Sequence, residues 1–146
     1  MSESVVKKPW EVKTYQITTR ADNPDAAISI VEFSKLLPEF TVAKRIYWIT
    51  NIGNEKDQFR GGHYHPKKQE ILWVIAGSCR FVLRTSISED ELTITGADAK
   101  CLFIQPGVYH ALYLEPGTIV AVASPRLYSP DEVADDDKYL EVRWDQ

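Results

Sequence analysis

Between residues 45 and 124 the chain keeps one cadence: a short run rich in Val, Ile, Leu, Tyr, Phe and Thr, then a turn. The runs are RIYWITNI (45–52), EILWVIAG (70–77), CRFVLRTS (79–86), ELTITG (91–96), KCLFIQ (100–105), HALYLE (110–115) and TIVAVAS (118–124). β-branched and aromatic residues fit a pleated, half-buried surface. The separators NIGNEKD, AGS, SISED, TGADA, QPGVY and EPGT supply Gly, Pro, Asn, Asp and Ser, the residues that turn a backbone. Strands this close together, with no amphipathic helix between them, build a sandwich or barrel and not alternating βα units. The expectation is one all-β domain over residues 1–146, a sandwich or barrel of antiparallel strands with its core at about 40–126.

Two stretches depart from the cadence. PDAAISIVEFSKLL (24–37) reads as a helix or, through ISIVEF, equally as a strand. SPDEVADDDKYLEV (129–142) is expected to form a short C-terminal helix, with Ser129 as cap, Pro130 at the first helical position and acids in the opening turn. A net charge of −4 lacks the basic face that nucleic acid or an anionic membrane requires. It leaves room for a small anion held by a few arginines. No apolar run reaches the length of a membrane span, and MSESVVKKPWEVKTYQ contains no apolar segment of a signal peptide. Cys79 and Cys101 stand alone in strand-like runs and read as buried thiols. A cytoplasmic, reduced protein is expected.

The chemistry concentrates in RGGHYHPKKQE (60–70). It holds two of the chain's three histidines. Alternate residues of a strand share a face, so His63 and His65 project together, and Pro66 ends or bulges that strand. In the following run Glu70, Leu72, Val74 and Ala76 share one face and Gln69, Ile71, Trp73 and Ile75 the other. Either can face inward; if the first does, Glu70 joins the histidines. The third histidine, His110, follows the turn pair Pro106-Gly107. Three neutral imidazoles and a carboxylate are a suitable shell for Zn, Ni, Mn or Fe. The same imidazoles can instead take and return a proton without any metal.

The order His-x-His, four residues, Glu, six residues, Gly77, then Pro-Gly-x-x-His resembles the cupin superfamily, whose small jelly-roll barrels agree with the strand cadence. The resemblance covers about residues 45–124 and is more specific for fold than for chemistry. LPEFTVAKRIYWI, FRGGHYHPKKQEILWVIAGSCRFVL, FIQPGVYH and VAVASPRLYSPDEV further resemble the sugar-nucleotide 3,4-ketoisomerases, which act on deoxythymidine-diphosphate 4-keto-6-deoxyglucose. That resemblance implies a homodimer, an acid/base pair at His63 and His65, a helping tyrosine at Tyr47, and arginines Arg45 and Arg60 on the nucleotide diphosphate. Trp73, Tyr109 and Tyr113 are candidates to stack on a base or sugar, although each alone also reads as packing.

Three departures separate the chain from that family. HYHP replaces HAHK; Glu70 stands where those isomerases often carry glutamine; and ADNPDAAISIVEF stands where they carry Asp-x-Arg-Gly-x-Leu. The glutamate restores a metal-ligating carboxylate, and in this the segment resembles the zinc-binding cupin domain of some capsular-polysaccharide reductases. The leading expectation is therefore an enzyme: a ketoisomerase that needs no cofactor and moves a keto group through an enediol. The alternatives are a metal cupin using His63, His65, Glu70 and His110 for oxygenase or other small-molecule chemistry, and a noncatalytic sugar-binding cupin. Residues 1–36 are a candidate segment for exchange with, or packing on, a dimer partner.

Overall fold

The structure is a computed structural model and describes residues 9–36, 43–125 and 138–139. The strands are β1 (Trp10–Thr14), β2 (Gln16–Arg20), β3 (Asn23–Ile30), β4 (Arg45–Thr50), β5 (Gln58–Tyr64), β6 (Glu70–Ala76), β7 (Ser78–Arg84), β8 (Glu89–Thr95), β9 (Lys100–Ile104), β10 (Tyr109–Leu114), β11 (Ile119–Ser124) and β12 (Lys138–Tyr139). One helical turn, α1 (Phe33–Leu36), lies between β3 and β4. All the strand-like runs of the sequence become strands. PDAAISIVEFSKLL resolves into both of its readings, strand through Ile30 and then the single turn of α1. The helix expected over 129–142 falls mostly outside the described residues. Lys138 and Tyr139 are the two of its residues that are described, and they pair as strand with His63 and Tyr64. No helix among the described residues is long and apolar enough to cross a membrane.

Two five-stranded sheets, ordered β1-β9-β6-β11-β4 and β12-β5-β10-β7-β8, carry the architecture, and β2 and β3 form a separate hairpin. Every pairing is antiparallel. The inner faces meet in one cluster that includes Leu72 and Val74 of β6, Phe81 and Leu83 of β7, Leu102 of β9, Leu112 of β10 and Val122 of β11. This settles the facing of β6: Glu70, Leu72 and Val74 point into the barrel. The opposite residue Ile71 is buried as well, because Val31, Phe33, Leu36 and Tyr15 cover the outer face around Ile71, Cys101, Phe103 and Ala123. A strand covered on both faces loses the alternation of apolar and polar residues, which is why the sequence left β6 ambiguous. Both cysteines are fully buried, and burial pushes each thiol up to about 12.

Candidate functional site

The pairing of β5 with β10 assembles the site. His63 stands opposite His110 in the register, and the backbone N–H of Gly107 donates to the carbonyl of His65 at 2.8 Å. The His-x-His segment and the Pro-Gly turn are thereby clamped together. The ladder also carries a bulge: Ala111 pairs Gly61 and His110 pairs His63, so Gly62 is the extra residue. Gly61 and Gly62 both adopt positive φ, 80° and 78°, the conformation that glycine tolerates and β-carbons resist. A Cβ on Gly61 would lie 2.9 Å from the carbonyl oxygen of His110. Gly61→Ala is therefore expected to destabilise the fold by about 1–2 kcal/mol and to displace His63. Denaturant unfolding and the His63 imidazole NMR signals are the readouts, and wild-type values for both would mean that the bulge is not needed.

The three imidazole rings converge. Their centroids are 4.6 Å (His63–His65), 4.8 Å (His63–His110) and 5.0 Å (His65–His110) apart. His65 and His110 are buried and His63 is half-buried. Glu70 sits against them from β6, 2% exposed. Its Oε1 lies 2.6 Å from His65 Nε2 and 3.4 Å from His110 Nε2. The shorter of these is close in distance but off the direction of a hydrogen bond, so it is an electrostatic contact. Oε2 accepts a 2.7 Å hydrogen bond from the Tyr47 hydroxyl and lies 3.8 Å from Lys68 Nζ. Burial alone would raise the Glu70 carboxyl; His110 and His65 overcome it and hold the group well below the usual carboxylate range.

One tautomer follows from the geometry. His110 Nδ1 is 3.0 Å from the Val108 carbonyl, and a carbonyl only accepts, so Nδ1 carries the proton. The neutral ring then presents a lone pair at Nε2 toward the Glu70 carboxylate, an arrangement that calls for a proton or a cation between the two. The candidate ligand atoms of His63, His65 and His110 all lie within 4.8 Å of one another. By donor type, three imidazoles and a carboxylate fit a divalent transition cation.

The other expected residues are placed as follows. Tyr47 reaches the centre through Glu70. Arg45, two residues earlier on the same face of β4, lies half-buried with its guanidinium 5.1 Å from the Tyr47 ring. Arg60 pairs opposite the inward residue Leu112, yet its side chain is exposed and lines an open cleft of about 410 Å³ with Asn51, Gly53, Gln58 and Phe59. The histidines do not line that cleft. Trp73 lies on the outer face of its sheet, 5.7 Å from the Phe33 ring. Tyr109 and Tyr113 alternate with His110 and so occupy the outer face of β10, where Tyr113 packs on Phe59 at 5.3 Å and beneath Arg80 at 4.1 Å. The stacking expected of these three aromatics is thus not directed at the imidazole centre; a one-residue difference in strand parity separates them from it. Sequence reading passed over Lys68, which looked like a turn residue but is 4% exposed. Its signal was the two-residue spacing from Glu70.

Comparison with known proteins agrees with this architecture. The family model described as FdtA: WxcM-like, C-terminal matches residues 10–144. The chain belongs to that family. A curated relative from Aneurinibacillus thermoaerophilus, TDP-4-oxo-6-deoxy-alpha-D-glucose-3,4-oxoisomerase, is 32% identical over 83 residues, 57% of this chain. The chain spans 56% of that relative's length. Among solved structures, a double mutant of the QdtA 3,4-ketoisomerase from Thermoanaerobacterium thermosaccharolyticum, in complex with TDP, superposes with a TM-score of 0.73 at 21% identity, covering 90% of this chain and 88% of that one. The WlaRB TDP-quinovose 3,4-ketoisomerase from Campylobacter jejuni gives 0.74 at 17% identity, covering 92% and 95%. At these identities the structures share the fold, and the fold is the expected all-β cupin barrel.

Proposed function

We propose that the protein is a 3,4-ketoisomerase of a nucleotide-linked 4-keto-6-deoxy sugar. The observation that carries the reading is the convergence of three imidazoles in which only His63 is half-open while the other two are buried. The curated relative's activity supports the same substrate class. His63 removes the proton from C3, and the C3–H electrons form the C3=C4 double bond while O4 takes up a proton from His65 or Tyr47. The enediol then returns its O3 proton to whichever of His65 or Tyr47 supplied the first, the C3=C4 electrons take the proton held on His63 onto C4, and the ketone stands at C3. Arg45, half-buried beside Tyr47, pairs with the diphosphate oxygens. This sequence needs no cofactor. A divalent cation held by His63, His65, His110 and Glu70 would supply Lewis-acid stabilisation of an enediolate oxygen.

Purified protein is expected to exchange the C3 proton of a nucleotide-linked 4-keto-6-deoxy sugar into deuterated water. Absence of exchange across several such sugars would remove the reading. Elemental analysis separates the metal-cupin alternative: bound metal near one per chain, lost in Glu70→Ala, favours it, and substoichiometric metal unmoved by that change ends it. The same reading places the protein in the cytoplasm with its charged substrate.

A homodimer belongs to this reading too. The outer face of the β4 sheet leaves Ile46, Trp48 and Ile75 at 54%, 67% and 53% exposure, and β4 is an edge strand. Among the described residues the β2–β3 hairpin pairs with neither large sheet, and it exposes Ile28. Apolar faces and open edges of this kind are surfaces that a second copy covers, and the proposal includes residues 1–36 as the segment that packs on that copy or exchanges with it. Light scattering is expected to give a dimer mass for the wild type and a monomer mass for Trp48→Glu. A monomeric wild type would defeat this part of the proposal.

A further inference from the structure

We propose that Lys68 is a positioning residue for Glu70: a fixed cation that anchors one carboxylate oxygen so that the other is presented to His65 and His110. The inference deepens the ketoisomerase reading and rests on it for its kinetic consequence only. Lys68 is 4% exposed and Glu70 2%. An ammonium taken out of water is costly unless a counter-charge accompanies it, and Glu70 is the carboxylate beside it, Nζ to Oε2 3.8 Å. The two oxygens of Glu70 divide their partners. Oε2 faces Lys68 and accepts from Tyr47, while Oε1 faces His65 and His110. A carboxylate with no anchor on Oε2 but the Tyr47 hydroxyl is free to rotate about its terminal torsion, which is broad and roughly two-fold. The charge of Lys68 breaks that freedom. Lys68 lies two residues before β6 begins at Glu70, and its burial there brings the ammonium to the carboxylate. Lys68 acts through Glu70.

Four proteins test the proposal: wild type, Lys68→Met, Glu70→Gln and the double variant. Methionine keeps the length and most of the volume of lysine and removes the charge, and glutamine keeps the shape of glutamate. Lys68→Met is expected to lower kcat about tenfold or more with KM within about twofold, since the lost interaction orients groups and does not bind substrate. The thermal midpoint should fall by roughly 10 °C, because a buried carboxylate loses its cation. In the Glu70→Gln background the same change should alter both quantities little, within about threefold in kcat, because a neutral amide needs no counter-charge. Multiplicative effects on kcat and additive shifts in midpoint would overturn the proposal, leaving Lys68 a packing residue. Should Lys68→Met fail to fold, a folded double variant supports the coupling and an unfolded one refutes it. A wild type with no activity on any nucleotide-linked 4-keto sugar defeats the ketoisomerase reading alone; the unfolding cycle still decides the Lys68–Glu70 coupling.

Discussion

His63→Asn is expected to lose isomerase turnover by about 10²–10⁴-fold, the range that a positioned general base contributes, with the fold intact. The reason lies in the uneven burial of the three rings. His65 and His110 are 3% exposed and back onto Glu70, whereas His63 stands at the open side of the cluster. A carbon acid must come within hydrogen-bond reach of its base, and a half-buried imidazole is the one a sugar carbon can approach. Asparagine preserves polarity and approximate size but has no nitrogen that holds a proton reversibly near neutral pH. Because the ring is only half-buried, its removal should cost about 1 kcal/mol of stability or less. The comparison to make is C3 deuterium exchange against a thermal melt. Exchange reduced less than tenfold, with substrate still bound, would transfer the role of base to another group.

Much of this arrangement was legible in the sequence, and the parts that were not have a common cause. The strand cadence from Arg45 to Ser124 pointed to an all-β sandwich or barrel, since turn residues and β-branched runs are local signals, and the cupin resemblance chose the barrel. The histidine centre was legible because His63, His65 and His110 are all the histidines there are and each lies beside a Gly or Pro turn. What remained hidden was facing. The sequence could not say that Glu70 points inward, because the outer face of β6 is also covered, by residues from before β4. Nor could it locate the Gly61-Gly62 bulge, which shifts the register along β5 and puts Arg60 opposite Leu112. Tyr109 and Tyr113 illustrate the same limit. Their placement outside turns on the parity of β10, and one residue of slip would have sent them in and His110 out. Lys68 was obscured by its neighbours: Pro66 and Lys67 make the segment look like a solvated turn, although burial at 4% makes Lys68 a core cation.

Glu70→Ala should be the most damaging single change to stability at the site, on the order of 3–5 kcal/mol, the penalty for stripping one partner from a buried charged cluster. Four groups gather on the one carboxylate. Lys68 Nζ lies 3.8 Å away, the Tyr47 hydroxyl donates to it at 2.7 Å, and His65 and His110 approach its other oxygen at 2.6 Å and 3.4 Å. Alanine takes the counter-charge from beside the Lys68 ammonium, removes the acceptor of the 2.7 Å bond from the Tyr47 hydroxyl, and opens a void where the carboxylate stood. Glu70→Gln separates charge from volume and should cost less. It also carries a pH signature whose sign is fixed. Burial would raise the Glu70 carboxyl, but His110 and His65 hold it below its unfolded value of about 4.3. Its contribution to stability is therefore complete above that unfolded value and is lost as pH falls through the lower folded one. The wild-type midpoint should accordingly drop more steeply than that of Glu70→Gln as the solution is acidified below about pH 5. Chemical unfolding of the three proteins at neutral pH, then thermal melts across the acid range, make the measurement. A Glu70→Ala cost under about 1 kcal/mol, or parallel acid limbs for wild type and Glu70→Gln, would mean that the buried carboxylate does not hold this centre together.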